Sequence, residues 1–298
     1  MRWRSVAACA LLAVSAAAPA IARADTVVHT ERSLYRQILV YDDDELRCMR
    51  FTKQAGGRQS CIDRAQPQRV VFDYVKMMLA ALAVNPAPRS ILIVGLGGGT
   101  LVDVLERALP DADIDVAEID PAVVRVATQY FGLRTSPRVH IHEEDGRVYV
   151  KRALRAGKRY DLVMLDAFDH EYIPEHLLTQ EYLREVKGLL APGGLVAANT
   201  FSSSRLYDHE SATYASVFGA FYNVKASNRV IIARPDGLPD AAALQAGAAR
   251  ARPLLAPFGV DPLSFVEHFD TKPDWRTDAR ILTDKYSPSN LLNAPGRP

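Results

Sequence analysis

The rhythm of apolar and polar positions changes near residue 85. Before it, apolar residues come in short runs, 37–41, 46–51 and 60–63, separated by acidic or glycine-containing turns, which predicts a small antiparallel β domain starting at Asp25. Residues 72–82 then carry apolar side chains at helical spacing and are closed by Asn85-Pro86-Ala87-Pro88, the best domain boundary in the chain. Beyond it, apolar strands at 91–94, 114–117, 139–142, 162–165 and 195–198 alternate with helical segments from Thr100, Pro121 and Arg147 and near Gln180. Repeated β-α units mean a parallel sheet with helices on both faces. Two further strand candidates, 222–226 and 229–233, are joined by a Ser227-Asn228 turn, so one of them is expected to run antiparallel. After Pro235 come an Ala-rich helix and a Pro-punctuated tail that pattern alone does not place. The expected division is therefore an N-terminal β domain with its connecting helix over 25–84, an α/β domain over 85–235, and a helix and tail over 236–298.

The first 24 residues stand outside that division. Arg2 and Arg4 precede an Ala/Leu/Val-rich run and then Ala22-Arg23-Ala24, an A-x-A site; this reads as a secretory signal peptide. The run is short for a membrane span of roughly 20 residues, and no later stretch qualifies. Cleavage after Ala24 would leave a soluble, slightly acidic, exported protein, periplasmic by expectation. It would also remove Cys9 and leave Cys48 and Cys61 in an oxidising compartment. These two flank Gln54-Ala55-Gly56-Gly57, a plausible hairpin turn, so they face each other as a bridge or remain two buried thiols.

Composition narrows the function. With 298 residues, 48% hydrophobic and 24% charged, the chain is neither disordered nor fibrous. A formal charge of +1, with the charges scattered, supplies no footprint for nucleic acid. Three cysteines exclude a multi-cysteine zinc or iron–sulfur site. His140 and His142 lie two apart on a strand, but no third ligand is evident, so no metal is expected.

The chemistry gathers at strand ends. The strand at 91–94 runs into Gly95-Leu96-Gly97-Gly98-Gly99-Thr100 and a helix; such glycines let the backbone turn sharply and approach a ligand at a helix N-terminus. The next strand ends in Glu118-Ile119-Asp120, placing Glu118 where an acid meets ribose hydroxyls. The third ends in Asp145-Gly146 and the fourth in Asp166-Ala167-Phe168-Asp169. Ligands of open α/β sheets bind outside the carboxyl ends of the strands, so these four ends converge on one crevice, a nucleoside site. Asp166 and Asp169 suit a substrate that is cationic or must lose a proton, since a carboxylate favours the ammonium and then accepts its proton. Asp169 serves equally well as a cap for the following segment, and His170 is read as a hydrogen-bonding neighbour. Tyr74 and Tyr182 are core residues by default.

These residues together resemble the polyamine aminopropyltransferases, the spermidine synthases, and in particular their bacterial spermidine-synthase-like members. The resemblance runs from about Ser33 to Ala233, with a further match at Thr283-Asp284-Lys285-Tyr286-Ser287-Pro288, and rests on Gln59-Ser60, Tyr74, the loop at 95–99, Glu118-Ile119-Asp120, Asp145-Gly146 and Asp166-Ala167-Phe168-Asp169. It implies an α/β fold, a Rossmann-like class I methyltransferase sheet with a small N-terminal antiparallel β domain. It implies transfer of the aminopropyl group of decarboxylated S-adenosylmethionine to a polyamine such as putrescine, without a metal, and self-association as a homodimer. Carried over by position, Asp166 takes the proton from the attacking amine with help from Tyr74. Gln59, Gly95, Gly97, Glu118, Asp145 and Gly146 hold the nucleoside, and Asp169 lies on the substrate side. Two departures stand out. The family loop is GGGDGG, and its acid falls on Gly98; the family acid pair is followed by Pro, where this chain has His170. An S-adenosylmethionine-dependent methyltransferase and a non-catalytic exported nucleoside- or polyamine-binding protein therefore stay open as alternatives.

Overall fold

The structure is a computed structural model that describes residues 25–51, 57–134, 136–168, 173–200 and 205–293. Four N-terminal strands, β1 (Thr26–Arg32), β2 (Gln37–Asp43), β3 (Leu46–Arg50) and β4 (Arg58–Asp63), form an antiparallel meander in that order. The three expected strands are β2 to β4. β1 has no apolar alternation to announce it and lies as an edge strand, mostly exposed. Cys48 and Cys61 sit directly opposite one another on β3 and β4 and are joined in a disulfide. Of the turn at 54–57, residues 54–56 lie outside the described residues.

Helix α1 (Asp73–Leu79), continued by a 3-10 turn at Ala80–Ala83, connects the two sheets. There follow β5 (Ser90–Val94), α2 (Thr100–Ala108), β6 (Asp113–Glu118), α3 (Pro121–Tyr130), β7 (Val139–Glu143), α4 (Gly146–Arg155), β8 (Tyr160–Leu165), α5 (Gln180–Gly188) and β9 (Leu190–Thr200). The chain then adds α6 (Leu206–Phe218), β10 (Phe221–Lys225), β11 (Arg229–Ala233), α7 (Ala241–Leu255), β12 (Phe269–Asp270) and α8 (Ser289–Asn293). The large sheet has the order β12-β10-β11-β9-β8-β5-β6-β7. Strands β5 to β9 are mutually parallel, β11 is antiparallel to β9, and β10 is antiparallel to β11 across the Ser227-Asn228 turn.

Apolar strand residues alternate between two cores, one on each sheet face. Ile91, Ile93, Ile114 and Val116 pack with α1, α2, α3 and α7, while Leu92, Val94, Val163 and Leu165 pack with α4, α5 and α6. Tyr182 belongs to the second core, as expected of it. Helix α6 has no apolar stripe in the sequence because its buried face is partly polar: Glu210, Ser211 and Thr213 are all buried. Buried Arg229 answers that face, with Nη2 donating to Ser211 Oγ at 2.7 Å, Nη1 to Glu210 Oε2 at 3.4 Å and Nε to Asn223 Oδ1 at 2.8 Å. A buried guanidinium is tolerable only when charge and donors are met in this way.

The tail is also placed. Arg147, at the start of α4, forks onto Asp284 at 2.7 and 2.8 Å, and Thr179 Oγ1 donates to Asp284 Oδ1 at 2.7 Å. Asn290 accepts from Ile173 N at 2.9 Å and donates back to its carbonyl at 3.1 Å. Thus the matched segment at 283–288 clips the tail against 173–180, and Asn293 ends on the wall of the central cavity.

Candidate active site

The order β9-β8-β5-β6-β7 reverses between β5 and β8, and the crevice outside that switch point is where open α/β sheets bind ligands. A cavity of about 810 Å³ lies there, between the N-terminal sheet, α1 and the carboxyl ends of the parallel strands. Gln59, Tyr74, Gly95, Gly97, Glu118, Asp145, Gly146 and Asp166 all line it. The volume is in the upper part of the usual small-molecule range, enough for a nucleoside-bearing donor with a small acceptor. Asp169 and His170 lie outside the described residues.

The glycine loop serves close approach. Gly95 has φ of +96°, and a Cβ there would meet the Asp166 carbonyl oxygen at 2.2 Å. The loop backbone therefore lies directly against the segment that carries Asp166. Leu96 N and Asp120 N donate to the two oxygens of Glu118 at 3.0 and 2.9 Å. Burial pushes the Glu118 carboxyl up despite those bonds. Each oxygen keeps a lone pair for a further donor. Asp145 caps α4, its Oδ1 accepting from Arg147 N and Val148 N at 2.9 and 3.0 Å, while its Oδ2 meets His176 Nε2 at 2.9 Å. Burial would raise this carboxyl, but the His176 and backbone bonds outweigh it and hold Asp145 below its ordinary range.

Asp166 follows β8. By exposed area it is half-buried, yet its carboxyl sits deep in the cavity wall with no cation bonded to it among the described residues. Burial pushes it up to about 7, against the pull of two neutral donors. These are Asn199 Nδ2, 3.0 Å from Oδ1, and the Tyr74 hydroxyl, 3.4 Å from Oδ2. Burial and the neighbouring carboxylate in turn push the Tyr74 phenol well above its usual range, so it stays protonated and can donate.

Sequence reasoning did not single out Asn199 or Asn228. Asn199 lies at the carboxyl end of β9, so the strand-end rule that found Asp166 also covers it. Asn228, 2.9 Å from Asn199 Oδ1 through its own Nδ2, was read only as a turn residue. The expected core role of Tyr74 is half met: it packs against the first core and turns its hydroxyl to the cavity. His142 bonds Asp115 at 2.8 Å, away from the cavity, and no cluster able to hold a metal occurs among the described residues.

Gly98 explains one departure from the resemblance. A Cβ at this position would come within 2.5 Å of Ser60 Oγ, 3.0 Å of Ser60 Cβ and 3.1 Å of Phe131 Cδ1. A side chain here is therefore tightly flanked by β4 and the end of α3 and needs Ser60 to shift.

A Rossmann-like sheet with a small-molecule cavity at its switch point, covered by a small β domain, defines an α/β protein that binds its ligand at the carboxyl ends of the strands. The sequence profile of the spermine/spermidine synthase domain matches residues 72–232. A polyamine aminopropyltransferase of Vibrio vulnificus is 45% identical over 273 residues, spanning 90% of this chain and 91% of that relative. The chain belongs to the spermine/spermidine synthase family. Human methyltransferase-like protein 13 in complex with SAH superposes with a TM-score of 0.57 at 27% identity, covering 72% of this chain and 100% of that one. A probable spermidine synthase from Corynebacterium glutamicum shares the fold with a TM-score of 0.62 at 19% identity, over 85% and 98% of the two chains.

Proposed function

We propose that this protein transfers the aminopropyl group of decarboxylated S-adenosylmethionine to a polyamine such as putrescine. The observation that carries the reading is the Asp166 carboxyl, buried in the cavity wall between two neutral donors and raised to about 7. Such a carboxylate is a stronger base than an exposed one, and a free amine titrating near pH 10 must lose a proton to finish the reaction. The amine nitrogen attacks the aminopropyl carbon beside the sulfonium, the carbon–sulfur bond breaks with its electrons going to sulfur, and methylthioadenosine leaves. The amine proton passes to Asp166, with the Tyr74 hydroxyl orienting the carboxylate.

Glu118 receives the ribose hydroxyls on its remaining lone pairs. Asp145 lies toward adenine, Gln59 closes the nucleoside from β4, and Gly95, Gly97 and Gly146 leave room for the ligand to approach the backbone. Asp169 is assigned to the substrate side by resemblance alone. A buried, covered crevice aligns the two reactants and excludes water, which accounts for much of the rate enhancement in such displacements. The Cys48–Cys61 disulfide supports the further expectation that the chain is exported to an oxidising compartment; maturation at Asp25 rests on the Ala22-Arg23-Ala24 site alone. A homodimer is the expected assembly, and sedimentation of the mature protein checks it.

One observation favours a second reading, methyl transfer from intact S-adenosylmethionine: position 98 is a tightly flanked glycine where the family loop carries an acid, and the methyltransferase-like protein 13 structure shares this fold. Incubation with either donor and a panel of diamines, read by mass spectrometry, separates the two. Methylthioadenosine together with an aminopropylated amine supports the proposal. S-adenosylhomocysteine from the intact donor alone refutes it in favour of methyl transfer.

A further inference from the structure

The cavity wall beside Asp166 contains a row of amides that neither the family resemblance nor the reaction above assigns. Asn228 lies in the turn between β10 and β11, and its Nδ2 is 2.9 Å from Asn199 Oδ1. Asn199 Nδ2 is 3.0 Å from Asp166 Oδ1. The register places Val230 opposite Asn199 and Arg229 opposite Thr200, so the turn hangs directly over the end of β9. The polarity of the row follows from chemistry. An ionised carboxylate only accepts, so the group that Asn199 presents to Asp166 must be its NH2. Its carbonyl then faces Asn228, which must donate. With the amide reversed, two acceptor oxygens would oppose each other at Asp166.

We propose that Asn199 and Asn228 are positioning residues for the Asp166 carboxylate: Asn228 fixes the orientation of the Asn199 amide, and Asn199 ties down Oδ1, leaving Oδ2 to Tyr74 and the incoming amine. The proposal deepens the reading of Asp166 as base and rests on it for its catalytic meaning. The groups facing Asp166 from the packed elements are few. α1 presents Tyr74, whereas the glycine loop, β9 and the β10–β11 turn present Gly95, Leu96, Asn199 and Asn228, none of which titrates. The other titratable groups on the cavity wall are Tyr35, Arg36, Arg58, Asp73, Glu118, Asp145 and His176. None of those charged groups bonds Asp166 among the described residues, so the neutral donors that do bond it help decide how readily the carboxyl ionises.

The test is a carboxyl carbon-13 titration of the full protein labelled at aspartate, in which the Asp166 resonance is the one missing from Asp166→Asn. The expected midpoint is near 7 in the wild type. Asn199→Ala is expected to move it upward by roughly 0.4–1 pH unit, the loss of a neutral bond of about 0.5–1.5 kcal/mol at 1.36 kcal/mol per unit. Asn228→Ala is expected to move it the same way by less, because the Asn199 amide loses its anchor but remains. Asn228→Asp keeps size and turn preference but reverses the polarity of the row, and is expected to give the largest rise. Its added charge acts in the same direction, so the two neutral variants decide the question. A midpoint that stays put in both Asn199→Ala and Asn228→Ala overturns the proposal, even if either variant lowers the melting temperature. The acid limb of kcat is expected to follow the same order. If the midpoints move but Asp166→Asn still turns over, the base assignment has failed while the amide row stands as a local electrostatic fact.

Discussion

Gly98 gives the sharpest test of how this site is packed. Replacing it with Ala adds one methyl group, which would stand 2.5 Å from Ser60 Oγ, 3.0 Å from Ser60 Cβ and 3.1 Å from Phe131 Cδ1. Rotating the serine hydroxyl relieves the first contact but not the second, because Ser60 Cβ is fixed by β4, which the Cys48–Cys61 bridge and the β3 ladder hold in place. Overpacking of this kind costs typically 1–3 kcal/mol. For a chain of this size, 2 kcal/mol corresponds to a drop of roughly 4–8 °C in Tm. Since both close Ser60 atoms must go for the methyl group to fit, Ser60→Gly is expected to recover about 1 kcal/mol of the loss, a coupling that a double-mutant cycle isolates. Differential scanning calorimetry of the wild type, both single variants and the double variant supplies the four corners. Additive effects, or Gly98→Ala as stable as the wild type, would refute the claim that Ser60 on β4 tightly flanks position 98. Gly98→Asp alone is expected to behave as the alanine variant or worse, so restoring the family acid requires making room at Ser60 first.

The remaining expectations concern chemistry and stability. Asp166→Asn should abolish aminopropyl transfer while leaving nucleoside affinity nearly intact by calorimetry, and wild-type kcat should fall as pH drops through about 7, where the base takes up its proton. Glu118→Ala removes the carboxylate that fastens Leu96 N and Asp120 N and should weaken nucleoside binding by roughly 1.5–3 kcal/mol; an unaltered Kd would put the ligand elsewhere. Asp115, bonded by Lys158, His142 and Tyr160, is held down to about 2 against the opposing effect of burial. Its folded value lies below its unfolded one, so it adds roughly 2 kcal/mol above pH 4 that disappears as pH falls toward 2. Asp115→Asn should flatten that part of the pH–stability curve. Reduction of Cys48–Cys61, separated by 13 residues, should cost about 3 kcal/mol by loop-closure entropy, and an unchanged Tm in reductant would show that β3 and β4 hold without it.

Much of this architecture was legible because its signals were local. Apolar runs bounded by turns mark β2 to β11, and the strand-end rule brings Glu118, Asp145 and Asp166 to one crevice. What escaped was whatever depended on a partner distant in sequence. β1 is a strand because β2 offers it a ladder, not because its residues alternate. The buried face of α6 contains Glu210 and Ser211, which become core residues only when Arg229 reaches them from β11. The tail needs Arg147 to explain Asp284.

The site divides the same way. Asp166 was readable because it stands at a strand end beside other acidic and glycine-rich strand ends that converge on one crevice, whereas Asn199 and Asn228 are ordinary polar residues in ordinary places. What distinguishes them is direction: one amide can serve a carboxylate only if something else holds its carbonyl. A buried base with no cation beside it must draw its stabilisation from such neutral donors, and each donor must be oriented in turn. The residues that tune the Asp166 carboxyl therefore extend beyond the groups bonded to it directly. Those outer residues, on β9 and in the β10–β11 turn, are where substitutions should alter the pH dependence of turnover while leaving nucleoside binding unchanged.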